Sequence, residues 1–521
     1  MNEIFPGKKI KSINPATMEV NAEVECLSAE RVRAAVRESW QAFSTWRTRS
    51  FSDRAKYILR AADIILKKSD EIVGVICKET GKPRVEAVIA EILTALDLIQ
   101  YYTKKTEKLL KKENINIGKW GLMMRKSYLE YYPLGVIGII SPWNFPFTIP
   151  MGQIVMALMC GNTVIMKPSE YTLLVGLKIE EIFNEAELPK GVYRTVPGDG
   201  ATGDALVRAG VKKIIFTGSV ATGKKIMAAA SETLTPVILE LGGKDPVIVF
   251  EDSDLENAAR SAVWGAFFNS GQVCCSVERL YVAESIADKF INLVVEKTKK
   301  LRQGVDDNFN IEVGSMTNQR QLEIVESHVD DARKRGAKIL TGGKRKGSLN
   351  GYFYEPTVLS GVDHTFRIVK EESFGPILPI MTFKTEAEAI SLANDSEYGL
   401  TAGIWTKDLG KAQRIASSLD YGTITVNDHL VTHGISQTPW GGVKNSGFGK
   451  THGKTGLLEL VEARHVHINK SIFPNIWWYK YSPNKYNLLK NALGLLYGHG
   501  IIKRMVSLVR VLKNISFRDM I

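Results

Sequence analysis

The sequence of 521 residues has little cysteine and lacks a long uninterrupted apolar segment. Its five cysteines form no C-x-x-C pair and have no histidine at zinc-finger spacing, which disfavours a disulfide framework and a structural zinc. No apolar run reaches the ~18 residues that span a bilayer, and the chain begins without the apolar stretch of a signal peptide. We therefore expect a cytoplasmic protein with no metal site.

Acidic residues are scarce only near the C-terminus. The chain has 68 Lys and Arg against 56 Asp and Glu, a net charge of +12, and residues 471–521 contain eight basic side chains and one acid. This segment therefore holds +7, and the rest of the chain only +5. Because the excess lies in a tail and not on the body of the protein, nucleic acid is not an expected partner.

Hydrophobic periodicity predicts two α/β domains. Residues 28–112 repeat apolar side chains at three- and four-residue spacing, which predicts several helices, and alternation within 114–132 predicts a hairpin. From Gly135 onward, short apolar runs alternate with helix-length amphipathic segments, and a second such series begins near residue 254 with a helix predicted over Leu255–Ser270. This alternation is typical of parallel sheets that helices cover on both faces.

The turn that contains Gly198 is the first of two glycine-rich candidates for phosphate binding. Gly198, Gly200 and Gly203 follow a predicted strand and precede a predicted helix, as in the dinucleotide-binding fingerprint. The acidic residue expected about 20 positions later, which would bind the ribose, is missing. The pattern alone is therefore a weak indication of the standard dinucleotide geometry.

The second glycine-rich turn contains Gly218, Ser219 and Gly223. Lys225 occupies the position where an ATPase loop needs Ser or Thr for magnesium, which disfavours an ATPase. A strand that turns into a helix still offers free N–H groups and a helix dipole, which suit a diphosphate. The alternative is a plain strand-to-helix turn with a serine cap.

Cys274 and Glu240 are candidates for nucleophile and general base. Cys274 follows a predicted helix, where a thiol can be exposed and activated, although an isolated cysteine is usually buried and inert. Glu240 ends an apolar strand and precedes two glycines, so its carboxylate could face a cleft. The alternative for Glu240 is an edge carboxylate held by the neighbouring Lys244.

Two further motifs follow predicted strands, at the edge where open α/β sheets bind ligands. Trp143 and Asn144 lie in a loop that prolines fix on both sides, so the loop presents an indole and a carboxamide. A packed tryptophan beside a turn asparagine is the alternative. Lys167 and Glu170 place a cation and an acid after the next strand, where they hold a ribose or simply begin a solvated helix.

Seven motifs in a fixed order carry a family resemblance. They are, in chain order, PWNFP, KPSE, FTGSVATGK, LELGGK, GQVCCS, EESFGP and PWGG. With these motifs, residues 10–468 closely resemble the NAD(P)-dependent aldehyde dehydrogenase superfamily. The resemblance implies two parallel-sheet α/β domains, a Rossmann-type cofactor domain and a catalytic domain, with a small β oligomerisation arm. The implied boundaries are 1–112 and 132–242 for the NAD-binding domain, 243–455 for the catalytic domain, and 113–131 with 456–470 for the arm.

The resemblance also implies roles for individual residues. Cys274 matches the nucleophile, Asn144 and the Cys274 backbone N–H match the groups that hold the oxyanion, and Glu240 matches the base that activates water. Thr451 stands where the family often has a second glutamate for proton relay. An exit through His452 is then an alternative, although a surface histidine is the simpler interpretation. The implied cofactor contacts are Trp143, Lys167, Glu170, Gly198, Gly218, Ser219, Gly223, Glu372 and Phe374.

The resemblance implies NAD-dependent oxidation of an aldehyde to a carboxylate by a homodimer or homotetramer. NADP is less favoured, because the charge of Glu170 would repel a 2′-phosphate. Acyl transfer to coenzyme A is an alternative, which a hydrolytic Glu240 argues against. The second alternative is a non-catalytic scaffold with the same fold. The joint presence of Cys274, Glu240 and Asn144 argues against it.

The segment 471–521 lies outside the family resemblance. It begins with an aromatic cluster and ends, from Ile501, in an apolar face opposite a basic one, a pattern that predicts a basic amphipathic helix. One interpretation is a peripheral anchor on the cytoplasmic face of a membrane, with a medium- or long-chain aldehyde as substrate. The other is a helix that packs on its own or a partner subunit.

Overall fold

The computed structural model describes residues 8–118, 120, 124–472, 474–475 and 477–513. Two compact units make up this part of the chain. The first consists of the described residues of Met1–Leu110 and Tyr132–Glu462, and the second of those of Lys111–Tyr131 and Ala463–Ile521. The predicted separation of a cofactor domain from a catalytic domain lies within the first unit and stays a prediction.

The N-terminal part is largely helical, as predicted for residues 28–112. Serine side chains cap the first two long helices: Ser28 accepts from the Arg31 N–H, and Ser50 accepts from the Asp53 N–H. The elements are β1 (Lys9–Ile13), β2 (Val20–Glu25), α1 (Ala29–Trp46), α2 (Phe51–Lys67), α3 (Ser69–Thr80), α4 (Arg84–Ala87), a π-helical turn (Val88–Leu93) and α5 (Thr94–Leu109). In the second unit, β3 (Glu113–Ile115) and β4 (Arg125–Pro133) pair antiparallel, as expected for a hairpin.

The first large sheet has six strands. Its central strands are buried along their whole length because helices cover both faces, which explains their continuous apolar sequences. The elements are β5 (Val136–Ile140), α6 (Thr148–Met159), β6 (Thr163–Lys167), α7 (Leu173–Glu185), β7 (Tyr193–Thr195), α8 (Gly200–Val207), β8 (Lys213–Thr217), α9 (Val220–Ser231) and β9 (Val237–Glu240). These five strands lie in the order β9-β8-β5-β6-β7 with all neighbours parallel. The sixth strand of this sheet, Gly447–Phe448, pairs antiparallel with β9.

The second large sheet of the described residues has seven strands. The elements are β10 (Asp245–Val249), α10 (Leu255–Phe267), β11 (Val277–Ala283), α11 (Ala287–Lys299), α12 (Gln319–Lys334), β12 (Lys338–Thr341), β13 (Thr357–Ser360), α13 (Arg367–Lys370), β14 (Ile377–Phe383), α14 (Glu386–Asn394), β15 (Thr401–Trp405), α15 (Leu409–Ala416) and β16 (Thr423–Val426). The strand order is β12-β13-β14-β11-β10-β15-β16, in which the β12–β13 pair is antiparallel and the other neighbours are parallel. A 3₁₀ turn, Phe268–Gly271, follows α10.

The chain then returns to the first sheet and continues into the second unit. The elements are β17 (Gly447–Phe448), α16 (Gly453–Leu458), β18 (Val461–Asn469), α17 (Pro483–Tyr497) and α18 (Ile501–Lys513). β17 pairs antiparallel with β9, and β18 is an edge strand of the sheet β18-β4-β3. The predicted amphipathic helix from Ile501 is confirmed, whereas Phe473 and the residues after Lys513 lie outside the described residues. No helix in the described ranges has both the length and the apolar character to cross a membrane.

Candidate active site

The carboxyl edge of the six-stranded sheet gathers most of the predicted site residues. Asn144 follows β5, Lys167 ends β6, Ser219 follows β8 and Glu240 ends β9. Parallel strands all end on the same edge of a sheet, so the fold brings together residues that lie far apart in sequence. Gly198 follows β7 on this same edge.

Gly242 and Gly243, just after Glu240, connect this edge to the two other predicted segments of the site. A Cβ at Gly243 would lie 2.5 Å from the Cys274 carbonyl oxygen, and a Cβ at Gly242 would overlap the carboxylate of Glu372. The Cys274 oxygen belongs to the backbone, so a side chain at Gly243 would push that segment away, whereas the end of the Glu372 side chain can rotate aside. Gly243 therefore allows the backbone that carries Cys274 to pack against the end of β9.

The two adjacent cysteines have different environments. Cys274 is half-buried, whereas Cys275 is only 4% exposed and packs in an apolar cluster. A hydrogen bond with Cys274 and burial raise the pKa of the Cys275 thiol well above its usual value. Cys275 thus remains a thiol at neutral pH, and Cys274 is the accessible sulfur of the pair.

Asn144 lies against the segment that carries Cys274. Its side-chain Nδ2 donates to the Gln272 carbonyl oxygen at 3.0 Å, and the residue is 4% exposed. Asn269 Nδ2 donates to the carbonyl oxygens of Asn144 and Gln272, each at 3.1 Å. Asn269 and Ser270 both have a positive φ, which a helix does not allow. The helix predicted to reach Ser270 therefore ends at Phe267. The turn that follows brings Gln272 to Asn144.

Glu240 is buried and is held by two threonines. Its carboxylate accepts hydrogen bonds from the hydroxyls of Thr451 and Thr217, the latter at 3.3 Å. Burial raises the pKa of Glu240 to about 7, although these hydrogen bonds act in the opposite direction. The alternative of an edge carboxylate held by Lys244 is wrong, because Lys244 pairs with Glu278 at 2.5 Å.

His452 is buried, so its interpretation as a surface histidine is wrong. It is 4% exposed, because Thr451 and Trp440 pair through backbone hydrogen bonds and draw this segment inward. Its Nδ1 lies 3.5 Å from the Thr451 hydroxyl, and its ring lies 4.9 Å from the ring of His433. Burial lowers the pKa of His452 well below its usual value, so the imidazole is neutral.

The predicted cofactor residues form three groups. Lys167 is 4% exposed and pairs with the more exposed Glu170 at 3.3 Å. The Ser219 hydroxyl accepts from the Thr222 N–H and begins α9, while the N–H of Gly218 donates to the Glu240 carbonyl. Glu372 accepts from the Gly243 N–H at 3.1 Å, and burial raises its pKa to about 8.

Two sets of aromatic and apolar side chains belong to the segments of the candidate site. Trp143 and Phe374 meet edge to face at 5.3 Å. An apolar cluster packs around the two cysteines, with Cys274, Ala90 and Leu430 as its partly buried members. The buried members are Phe145, Ile149, Phe268, Val273, Cys275, Leu400 and Trp440. In the described ranges, no group of three His, Cys, Asp or Glu side chains is placed to hold a metal ion.

The fold and these contacts define an α/β enzyme in which a half-buried thiol and a carboxamide lie on adjoining segments, and a buried carboxyl group ends the neighbouring strand. They lie at the edge where open α/β sheets bind ligands. A family model described as the aldehyde dehydrogenase family matches residues 5–466. The chain therefore belongs to the aldehyde dehydrogenase family, whose enzymes oxidise aldehydes with NAD or NADP, and the predicted fold class is confirmed.

Similar proteins differ in their cofactor. The chain is 40% identical to the 4,4'-diapolycopene aldehyde oxidase of Methylomonas sp over 462 residues, 88% of this chain and 86% of the relative. The NAD+ complex structure of an aldehyde dehydrogenase from Bacillus cereus is 34% identical, with a TM-score of 0.85 over 89% of this chain and 94% of that one. The structure of an E. coli NADP-dependent enzyme is 32% identical, also with a TM-score of 0.85, over 89% and 95%.

Proposed function

We propose that this aldehyde dehydrogenase oxidises a medium- or long-chain apolar aldehyde to the carboxylate, with NAD as the oxidant. The observation that carries the proposal is the packing of Gly243 against Cys274, which joins the half-buried thiol to the strand that ends in Glu240. A nucleophile and a base on neighbouring segments suit acyl chemistry through a thioester.

The first step belongs to Cys274. Its sulfur attacks the aldehyde carbon and forms a hemithioacetal, in which the former carbonyl oxygen becomes an oxyanion. The Asn144 carboxamide and the Cys274 backbone N–H hold this oxygen, because hydrogen-bond donors fixed in advance stabilise the charge as it develops. The hydrogen bond between Asn144 and the Gln272 carbonyl keeps the carboxamide within two residues of the thiol.

Glu240 acts in the second step. Departure of hydride from the oxyanion would leave a thioester on Cys274. As a carboxylate, Glu240 takes a proton from the water that attacks this thioester, and the carbon–sulfur bond then breaks to release the acid and the Cys274 thiolate. With its pKa near 7, about half of the Glu240 side chains are carboxylates at neutral pH. The Thr451 hydroxyl lies between Glu240 and His452, so we assign it and His452 to the path by which this proton leaves.

Several residues would hold the dinucleotide, which when bound supplies the acceptor for the hydride. Lys167 and Glu170 suit the hydroxyls of the adenosine ribose, and Glu372 suits those of the second ribose.

Ser219 caps α9, whose first N–H groups have no partner within the helix and favour a diphosphate. Because the Gly218 N–H already donates to the backbone carbonyl of Glu240, Gly218 contributes through its lack of a side chain, as does Gly198 in its turn. Gly223 lies within α9, where its lack of a side chain leaves room for Leu241. Trp143 and Phe374 pack against each other and would provide aromatic surface for the cofactor.

Glu170 favours NAD over NADP. Its carboxylate is 43% exposed at the carboxyl edge of the sheet and can accept hydrogen bonds from both ribose hydroxyls. A 2′-phosphate would bring negative charge to the same point, and the repulsion weakens NADP binding. Lys167 reduces this effect, because its ammonium group pairs with Glu170.

The packing of Cys274 supports an apolar substrate. Cys274 lies against an apolar cluster that includes Phe145, Ile149, Phe268 and Trp440. Each methylene group that a substrate buries there contributes about 0.8 kcal/mol. Longer aldehydes therefore bind and react better until the apolar surface is fully covered.

The test of this function is a series of linear aldehydes from acetaldehyde to hexadecanal, scored by NADH formation and by product analysis. We expect kcat/KM to rise at least tenfold from acetaldehyde to decanal and the product to be the free acid, even when coenzyme A is present. We also expect a higher kcat/KM with NAD than with NADP on the same aldehyde.

Each arm of this experiment can contradict one part of the proposal. Acyl-coenzyme A as the product would replace hydrolysis with acyl transfer. Equal efficiency with short and long aldehydes would remove the apolar substrate class. A preference for NADP would refute the charge argument at Glu170.

Oligomerisation to a homodimer or homotetramer forms part of the proposal. β18 lies at the edge of the sheet β18-β4-β3, and its side chains from Glu462 to Asn469 are exposed or half-buried. An edge strand offers a row of N–H and C=O groups that can pair with another chain. We therefore place the contact between subunits on this strand.

The C-terminal helix supports peripheral attachment to an anionic membrane, on its cytoplasmic face. Seven apolar side chains of α18 are 42 to 79% exposed: Ile501, Ile502, Met505, Val506, Leu508, Val509 and Leu512. Lys503, Arg504, Arg510 and Lys513 lie on the same helix. Each basic residue near anionic lipid contributes about 1 kcal/mol, and salt weakens this attraction. An enzyme held in this way would meet apolar aldehydes where they dissolve.

Deletion of residues 471–521 is expected to abolish binding to vesicles that contain phosphatidylserine, while turnover of a short soluble aldehyde stays within twofold. Sedimentation with vesicles measures the bound fraction of full-length and truncated protein. A full-length variant with Lys503→Glu and Arg510→Glu keeps the apolar face and should bind much less. Unchanged vesicle binding after the deletion would eliminate the membrane proposal.

A further inference from the structure

A buried ion pair lies behind the loop that carries Asn144. Lys82 Nζ and Glu91 Oε1 are 2.6 Å apart, and both side chains are fully buried. Lys82 Nζ also donates to the backbone carbonyl oxygen of Asn144 at 2.8 Å and lies 4.3 Å from the centre of the Phe145 ring. The ammonium group is therefore fixed by a carboxylate on one side and by the Asn144 loop on the other.

The carboxylate of Glu91 holds the other end of the same loop. Its Oε2 accepts from the N–H groups of Phe147 at 3.0 Å and Thr148 at 2.9 Å, where α6 begins. Glu91 lies in the π-helical turn Val88–Leu93, a rare geometry that is frequent at functional sites. One ion pair thus fixes three backbone groups between Asn144 and Thr148.

A second buried pair with the same chemistry holds a different loop. Lys244 Nζ lies 2.5 Å from Glu278 Oε2, and both side chains are buried. The Glu278 carboxylate accepts from the N–H groups of Ser373 and Phe374, both at 2.8 Å. This pair therefore holds the segment that follows Glu372, and it provides a matched comparison for the first.

We propose that the Lys82–Glu91 pair positions the carboxamide of Asn144 for the oxyanion, an inference that rests on the function proposed above. A buried ion pair is a poor source of stability, because the cost of removing two charges from water offsets their attraction. This pair instead holds the loop from Asn144 to Thr148 at both ends: the ammonium group donates to the first backbone carbonyl, and the carboxylate accepts from the last two N–H groups. A shift of the Asn144 backbone by about 1 Å would move the carboxamide out of hydrogen-bonding range of the oxyanion.

The variant that tests this inference is Lys82→Met combined with Glu91→Gln. It removes both charges at nearly constant volume, so no unpaired charge is left buried, and the new amide oxygen still accepts from Phe147 and Thr148. We expect kcat to fall by about tenfold to a hundredfold, a smaller effect than the loss of an oxyanion donor. The KM for NAD should stay within twofold, and thermal unfolding should remain cooperative.

A double-mutant cycle with Asn144→Ala separates positioning from a general structural role. If the pair acts through the carboxamide, the Lys82/Glu91 change costs less than threefold in kcat once Asn144 is alanine. A purely structural role would cost the same factor in both backgrounds, which would overturn the inference. The proposed function itself fails separately, if Asn144→Ala alone leaves kcat unchanged.

The second pair supplies the control. Lys244→Met with Glu278→Gln removes an equally buried pair but disturbs the 372–374 segment, so we expect a higher KM for NAD. Any fall in kcat that this variant causes should be the same with asparagine or with alanine at position 144. If the Lys82/Glu91 variant does not fold, Lys82→Arg takes its place, because a guanidinium keeps the charge but places its donors differently. A fall in kcat of threefold or more with an unchanged KM for NAD supports the inference, and an unchanged kcat overturns it.

Discussion

Cys274→Ala is expected to lower the kcat for aldehyde oxidation by about 10⁴-fold or more, because Cys274 supplies the sulfur on the segment that packs against Asn144 and Gly243. NADH formation under single-turnover conditions, with enzyme in excess of aldehyde, measures the loss directly. NAD binding should be unaffected, since the substitution removes only the sulfur. The two measurements together separate a chemical defect from an unfolded protein.

Cys275→Ala is the matched control, because Cys275 is the adjacent sulfur but is buried in the apolar cluster. We expect its kcat to stay within tenfold of the unsubstituted enzyme, at some cost in stability from the lost packing. If the Cys274 variant kept full turnover, the nucleophile would lie elsewhere. If the unsubstituted protein itself turned over no aldehyde, the scaffold alternative would apply.

Glu240→Gln is expected to lower steady-state turnover by about 10²–10⁴-fold while leaving the first step intact. Because thiol attack does not need the carboxylate as the water base, each chain should still form close to one NADH in a rapid burst. Rapid-mixing absorbance at the NADH band resolves the burst from the slow phase. Loss of the burst together with turnover would place Glu240 in the activation of Cys274 instead of in hydrolysis.

The pH dependence of turnover gives an independent test of the same carboxyl group. Burial raises the pKa of Glu240 to about 7, and the group acts as a base only when it is deprotonated. Turnover should therefore fall about tenfold per pH unit below pH 7 and level off above it. Thr451→Val removes a hydrogen bond that lowers this pKa, so the falling limb should move to higher pH. If the unsubstituted enzyme, Thr451→Val and Glu240→Gln all showed the same pH profile, Glu240 would be excluded as the titrating base.

Residues adjacent in a strand or loop could be predicted, whereas contacts between distant segments could not. Glu240 and Asn144 follow strong apolar strands, and their positions at the sheet edge follow from the parallel order alone. Lys82 and Glu91 gave no such signal, because a lysine after a helix and a glutamate within one usually face solvent. Their burial depends on how the loop after β5 packs on the N-terminal helices, which is tertiary information.

Local patterns also misled at specific places. Apolar spacing continues through Phe268 and predicts that α10 reaches Ser270. Hydrogen bonds from Asn269 to the carbonyl oxygens of Asn144 and Gln272 favour a 3₁₀ turn there instead. His452 has a polar sequence neighbourhood but is drawn inward by the bridge between Thr451 and Trp440. The helix Pro483–Tyr497 was not predicted, although Ser482 caps it and a proline begins it.

Gly243 ties variation after β9 to the packing of the segment that carries Cys274. A methyl group at Gly243 would meet the backbone carbonyl oxygen of Cys274, which cannot move without its whole segment. A methyl group at Gly242 would meet only the end of the Glu372 side chain, which can rotate away. Of the two neighbouring positions, Gly243 is therefore the one that tolerates less variation, whatever aldehyde the enzyme consumes.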